Sequence, residues 1–203
     1  MLKQEFFTNI GLPLEEFLRN QIYNALQGET VEIIFKEAKV RKTENYWKYM
    51  LEGHSFKVDK NISKKLYTLF NSVKENLGYK EKLDFYISSD SSVNAFALSS
   101  TEDDEPNIIN INSSLLKLMN DDELRFIIGH EIGHLINKNA NLNKLINFVF
   151  PTNSNLPGVL MNKIRLWEQL SELIADRYGF LANPSLPVCI SAFFKCLRAW
   201  MPK

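Results

Sequence analysis

The 203-residue chain predicts an α+β fold, on two observations. Three short runs that read as strands, Leu83–Ser88, Asn94–Leu98 and Asn107–Asn112, cluster in its middle. Before them and again from Asn120 onward, apolar residues recur at helical spacing. Strands grouped together, with helices before and after rather than in strict alternation, argue for a small antiparallel or mixed sheet. One helix beside that sheet and a mostly helical C-terminal half complete the architecture.

The bulk numbers are compatible with that fold and narrow the function. Apolar content is 45% and charged content 24%, ordinary for a globular chain that buries one core, with room for an appended subdomain. Lys plus Arg equals Asp plus Glu at 24 each, and no basic run is long enough to follow a phosphate backbone, so no nucleic-acid partner is expected. Cys189 and Cys196 fall on one predicted helix. Seven residues of helix would set their Cα atoms about 10 Å apart, too far for a disulfide. They read as core thiols of a reducing compartment. The N-terminal run MLKQEFFTNIGLPLEEFL lacks the uninterrupted apolar stretch of a signal peptide, and no window is long enough to span a bilayer. A cytoplasmic protein is the expectation.

The elements follow in order. Leu14, Phe17, Leu18, Ile22, Ala25 and Leu26 predict a helix that Pro13 opens and Gly28 closes. Val31–Phe35 reads as a short strand, and Lys36–Lys57 carries no assignable pattern. His54, alone in that stretch, reads as a surface or capping histidine. A second helix covers Asp59–Leu77 through Ile62, Leu66, Leu69, Phe70, Val73 and Leu77, with Gly78 as its stop. The three strands come next, the second and third separated by the acidic loop Thr101–Pro106. Asn120 and Glu123 then make a capping-box start to a helix striped by Leu124, Ile127, Ile128, Leu135 and Ile136. A short helix over Leu142–Phe150 ends at Pro151, and Thr152–Gly158 is a loop. A long helix near Val159–Leu181 and a last one near Val188–Trp200 flank Pro184.

The chemistry lies in the capped helix, which contains His130-Glu131-Ile132-Gly133-His134. Residues four apart share a helix face, so both imidazoles point the same way and can grip one zinc ion, with Glu131 in reach of a water on it. Two of the three histidines in the chain fill this H-E-x-x-H pattern. A hydrolytic zinc site needs a third protein ligand, and no third usable histidine or well-placed cysteine exists. A carboxylate is therefore expected from the long helix, where Glu172 and Asp176 stand four apart in an otherwise apolar stretch. Two carboxylates on an inner helix face need a positive partner, which a metal supplies. Glu168, one turn earlier, is the nearest rival to Glu172. Asp176 is placed to accept the second N–H of His130.

Three runs together carry a family resemblance. They are Asn94-Ala95-Phe96-Ala97-Leu98, the stretch from Asn107 through Leu116 and Asp122 to His134, and Ser171-Glu172-Leu173-Ile174-Ala175-Asp176-Arg177. Over roughly Ile62–Leu197, about two thirds of the chain, the sequence resembles the HtpX-like and CAAX prenyl protease-related zinc metallopeptidases, which are gluzincins. H-E-x-x-H alone is moderately specific; joined to N-A-F before it and E-x-x-A-D-R after it, the combination is strong. The resemblance implies a zincin-like metallopeptidase domain over residues 61–203, preceded by an N-terminal helical extension over 1–60 that could act as a pro- or cover segment. It implies one Zn2+ per chain held by His130, His134 and Glu172, with Glu131 as catalytic base and Asp176 behind His130. It further implies that Asn94, Ala95, Phe96 and Ala97 form the edge strand on which a peptide or protein substrate lies, as free backbone groups allow.

Two features depart from the family pattern. Familiar members are mostly membrane proteins, whereas this chain has no spanning stretch, so their substrates do not transfer. No histidine follows His134 to serve the oxyanion; Arg177, Tyr178 and Asn94 are the candidates. The expected activity is peptide-bond hydrolysis. Two rival readings stand beside it. One is a zinc-binding interaction module, latent or catalytically idle, its cleft covered by the N-terminal segment or the acidic loop. The other is a zinc amidase acting on a small molecule.

Overall fold

The structure is a computed structural model; it describes residues 10–37, 50–51, 53–100, 105–151 and 156–200. Thr101–Asp104, most of the acidic loop, and most of the unassigned stretch after Lys36 lie outside the described residues.

Among the described residues two helices come first, α1 (Pro13–Ala25) and α2 (Gly28–Glu37). Here the structure corrects two expectations. Gly28 does not close α1. Gln27, with φ of 50°, makes the left-handed turn, and Gly28 begins the next helix. Val31–Phe35 is helical rather than a strand, because Val31 joins a helical core while Ile33 and Ile34 face solvent. Within α1 the buried face is Leu18 and Ile22, continued by Leu26, whereas Leu14 and Phe17 are exposed.

Among the described residues the sheet has four strands, in the order β1-β2-β4-β3. β1 (Ser55–Lys57) pairs antiparallel with β2 (Leu83–Ser88) and occupies part of the stretch without a readable pattern. β2 runs parallel to β4 (Asn107–Asn112), and β3 (Ala95–Leu98) runs antiparallel to β4. Among the described residues β3 is thus a terminal strand of the sheet, the position that the family resemblance implied. α3 (Lys64–Asn76) starts later than expected. Residues Asp59–Ser63 form a turn in which the Asp59 carboxylate accepts the backbone N–H groups of Asn61 and Ile62. Gly78, φ 66°, ends α3 as only a residue without Cβ does cheaply.

β4 sends alternate residues to two faces. Ile109 and Ile111, both fully buried, enter the main core with Phe70, Val73 and Phe85; Ile108 faces a smaller cluster with Leu51 and Tyr86. Burying side chains of this size contributes about 1.5–3 kcal/mol each. That fixes the sheet against the helices that follow.

These are α4 (Ser113–Leu118), α5 (Asp121–Ile136), α6 (Asn139–Val149), α7 (Gly158–Ala182) and α8 (Leu186–Trp200). α5 lies centrally, against β3, β4, α3, α7 and α8. Its expected capping box is present: Asn120 Oδ1 accepts from the N–H groups of Asp122 and Glu123, and the Glu123 carboxylate accepts from Asn120 N–H at 2.8 Å. Glu123 also accepts from Ser191 Oγ and Lys195 Nζ, both at 2.6 Å, which ties α8 to the start of α5. A second core joins α1, α2, α6 and the first half of α7, through Leu18, Ile22, Leu26, Val31, Leu142, Leu145, Ile146, Ile164 and Trp167. In it the Trp167 indole N–H donates to the buried Glu15 carboxylate at 2.7 Å. The two cysteines are free, Cys189 buried and Cys196 partly so. Among the described residues, no helix is long and apolar enough to cross a membrane.

Candidate metal centre

α5 and α7 approach each other so closely that at three glycines even a Cβ would crowd the facing helix. A Cβ on Gly133 would lie 2.9 Å from Tyr178 Cβ and 3.0 Å from Ala175 Cα; one on Gly179 would lie 2.9 Å from the Phe126 carbonyl oxygen. Gly129 meets Ala182 in the same way. Gly129 and Gly133, one turn apart on α5, together with Gly179 on α7, set the spacing across which the polar side chains of the two helices meet.

His130 and His134 project from α5 with their rings 4.7 Å apart and their Nε2 atoms 3.0 Å apart. From α7, Glu172 brings Oε2 to 3.4 Å from His130 Nε2 and Oε1 to 3.6 Å from His134 Nε2. All three ligand-type atoms lie within 4.8 Å of one another. Tetrahedral zinc with bonds near 2.0–2.1 Å places its ligand atoms about 3.3 Å apart. The observed separations, taken to one or other Glu172 oxygen, are of that order, so this donor set fits the metal. Glu168, the rival, is not part of the cluster. Its carboxyl is raised by burial and then by the charge of Glu172 one turn away.

The rest of the constellation orients these groups. His130 Nδ1 lies 2.9 Å from Asp176 Oδ1, which leaves Nε2 to the cluster. His134 Nδ1 lies 3.2 Å from the side-chain amide of Asn139, a residue the sequence reading missed. Asn139 follows His134 by five residues, across a left-handed Lys138, a geometry that no helical periodicity signals. Glu131 is 7% exposed, and burial, with Glu172 adding to it and His130 opposing, pushes its carboxyl up to about 7.

The electrostatics ask for a cation. Burial works against charge on both imidazoles. At His130, Asp176 and Glu172 outweigh it and hold the ring protonated up to about 10. At His134, burial and the neighbouring His130 charge lower the ring to about 4. A positive charge on His130 thus stands against the carboxylates of Asp176 and Glu172.

The other expected site residues fall as follows. Asn94 is exposed, and its carbonyl accepts from Asn112 N–H at 3.0 Å. Ala95 and Ala97 pack toward the main core and Phe96 toward the opposite face of the sheet. The Arg177 guanidinium donates to the Ile10 carbonyl at 2.8 Å, and Tyr178 is buried against Gly133. His54 is exposed.

A helix that offers H-E-x-x-H and a second helix that returns a glutamate to it define the zincin class of metallohydrolases. The comparison with protein families agrees and is more specific. Residues 61–159 match the family described as peptidase family M48, so the chain carries a domain of that family of zinc metallopeptidases. The matched stretch contains His130, Glu131 and His134 but stops before Glu172 and Asp176, which the fold brings to them. No curated protein and no solved structure matches the chain.

Proposed function

We propose that this chain is a zinc-dependent endopeptidase, with one ion held by His130, His134 and Glu172 and with Glu131 as general base. The observation that carries the reading is the convergence of those three side chains, from two separate helices, beside a buried glutamate. Zinc held there supplies Lewis acidity toward a scissile carbonyl and lowers the pKa of its water toward neutrality. The chain's own groups do the rest. Glu131 takes the proton from the attacking water and returns it to the departing amine. Asp176 holds His130 in the tautomer that presents Nε2. An extended peptide pairs with the backbone of β3, the terminal strand packed beside α5.

In this reading residues 1–60 are an N-terminal extension, 61–203 form the catalytic domain, and the protein is cytoplasmic with peptide rather than nucleic acid as its substrate. Among the described residues the Glu172 side chain is 61% exposed, which supports an accessible cleft. The test is cleavage of a quenched peptide library by zinc-loaded protein and by Glu131→Gln. Cleavage by the first and none by the second, at equal zinc content, is expected. Equal cleavage by both removes Glu131 as the base.

A further inference from the structure

A hydrogen-bonded path leads from the N-terminal helix to the second imidazole, and it begins outside the stretch that matches the family. Arg19 of α1 donates through Nη1 to the Asn137 carbonyl at 3.3 Å, at the C-terminal end of α5. Asn137 Nδ2 donates to Asn139 Oδ1 at 2.9 Å, and Asn139 Nδ2 lies 3.2 Å from His134 Nδ1. Between them Lys138 adopts φ 55°, a left-handed conformation that is unfavourable for an L residue with a side chain. Strain of that kind persists only where surrounding contacts hold it. Here Asn139 is 4% exposed and Arg19 fixes the carbonyl at the head of the turn.

We propose that Arg19 and Asn139 are positioning residues for His134: α1 braces the Asn137–Asn139 turn, and Asn139 keeps the His134 proton on Nδ1 so that Nε2 faces the metal. The proposal rests on the zinc reading above. Its chemistry follows from the ring. His134 Nε2 is the atom directed at His130 and Glu172, so its lone pair is free only if the proton sits on Nδ1. Nδ1–H then needs an acceptor. Among the described residues the group beside it is the Asn139 amide, with Nδ2 toward the ring, so the amide must turn to offer Oδ1. Amide orientation follows from the hydrogen-bond network. Turning both asparagine amides together preserves their mutual bond and presents Asn139 Oδ1 to the imidazole.

The docking of α1 does not depend on Arg19. Leu18, Ile22 and Leu26 lie in the second core, Glu15 accepts from Trp167, and Gln21 accepts from Lys163 at 2.7 Å. Replacing the guanidinium alone therefore leaves the helix seated. The relay gives α1 a role opposite to that of a removable cover.

The experiment uses the full chain as wild type, Arg19→Met, Arg19→Lys, Asn139→Leu and Asn139→Asp. Zinc affinity is read by chelator competition, and the His134 tautomer by two-bond 1H–15N correlation in metal-free protein. Wild type is expected to carry the proton on Nδ1. Asn139→Leu should lose that preference and bind zinc about 10- to 100-fold more weakly, as loss of a partner behind a ligating imidazole does. Arg19→Met should shift both readouts in the same direction by a smaller factor, and Arg19→Lys and Asn139→Asp should restore them. Wild-type affinity and tautomer in both Asn139→Leu and Arg19→Met, or an Nε2 proton in the wild type, overturns the proposal. If the wild type takes up no zinc, the zinc reading fails separately. The tautomer then still decides: lost Nδ1 preference in Arg19→Met supports the relay, and an unchanged one refutes it.

Discussion

Replacing Gly133 with alanine isolates what the close approach of α5 and α7 is for. On propensity alone the substitution stabilises, since alanine in a helix interior is favoured over glycine by about 1 kcal/mol. The structure opposes that gain. The new methyl would stand 3.0 Å from Ala175 Cα and 2.9 Å from Tyr178 Cβ, where carbon–carbon contacts normally settle at about 3.5–4.0 Å. One contact is backbone and the other is the first side-chain atom, so neither can swing aside, and α7 must retreat by roughly 0.5–1 Å. Overpacking of that order costs about 1–3 kcal/mol, which leaves the fold at most about 2 kcal/mol less stable after the propensity gain. The effect on the site should be larger than the effect on the fold. Ala175 is adjacent to Asp176 and three residues from Glu172, and zinc sites hold their distances to within about 0.2 Å. We expect Gly133→Ala to remain folded, with a thermal midpoint lower by a few degrees, and to bind zinc about tenfold or more weakly in chelator competition. A variant with wild-type zinc affinity and a raised midpoint would refute the argument that glycine is there to set the ligand spacing.

Other outcomes follow from the same geometry. Glu172→Ala should lose most of its zinc at a chelator concentration that leaves the wild type loaded, while its far-UV circular dichroism stays unchanged; undiminished zinc content would remove it as a ligand. Glu123 predicts an acid-sensitive fold. Burial raises its carboxyl, but Lys195, Ser191 and the Asn120 N–H together outweigh burial and hold it below the usual carboxylate value. A group whose folded pKa is depressed contributes stability above its unfolded pKa of about 4.5 and loses it as pH falls through the folded value. Glu123→Gln should therefore be less stable than wild type at neutral pH, by about 1–2 kcal/mol. It should converge on wild type under acid in urea titrations, and a pH-independent gap would contradict the assignment. Zinc-loaded protein treated with chelator should lose peptide cleavage and regain it on zinc addition; cleavage indifferent to the chelator would point to metal-independent chemistry.

How far the sequence carried the reading depended on the range of the interactions involved. β2 and β4 were legible to their end residues because alternation and turn signals are local, and the Asn120–Glu123 box gave the start of α5 for the same reason. The H-E-x-x-H spacing placed two imidazoles on one face without any tertiary information. Val31–Phe35 misled because five residues, mostly β-branched or aromatic, carry a strand-like preference. Its helical state is set by Val31 packing on a core built from α6 and α7, more than a hundred residues away. Leu14 and Phe17 look like core residues from spacing, yet α1 buries an adjacent stripe, chosen by Trp167 and Ile164. Asn139 and Arg19 were illegible for a related reason: a single asparagine after a helix and a single arginine on a helix surface acquire their roles only when the chain returns. The signal of Gly129 and Gly133, two glycines one turn apart within a helix, was available in the sequence, since such residues weaken a helix unless something must come close.

The central claim is that one metal ion sits between two imidazoles of α5 and a carboxylate of α7. Diffraction data collected on either side of the zinc absorption edge, from crystals of the wild-type chain grown with zinc, test it directly. The account predicts a single anomalous peak within bonding distance, about 2.0–2.2 Å, of His130 Nε2, His134 Nε2 and a Glu172 oxygen. A peak bound by the histidines but remote from Glu172, or no peak between the two helices, would contradict it.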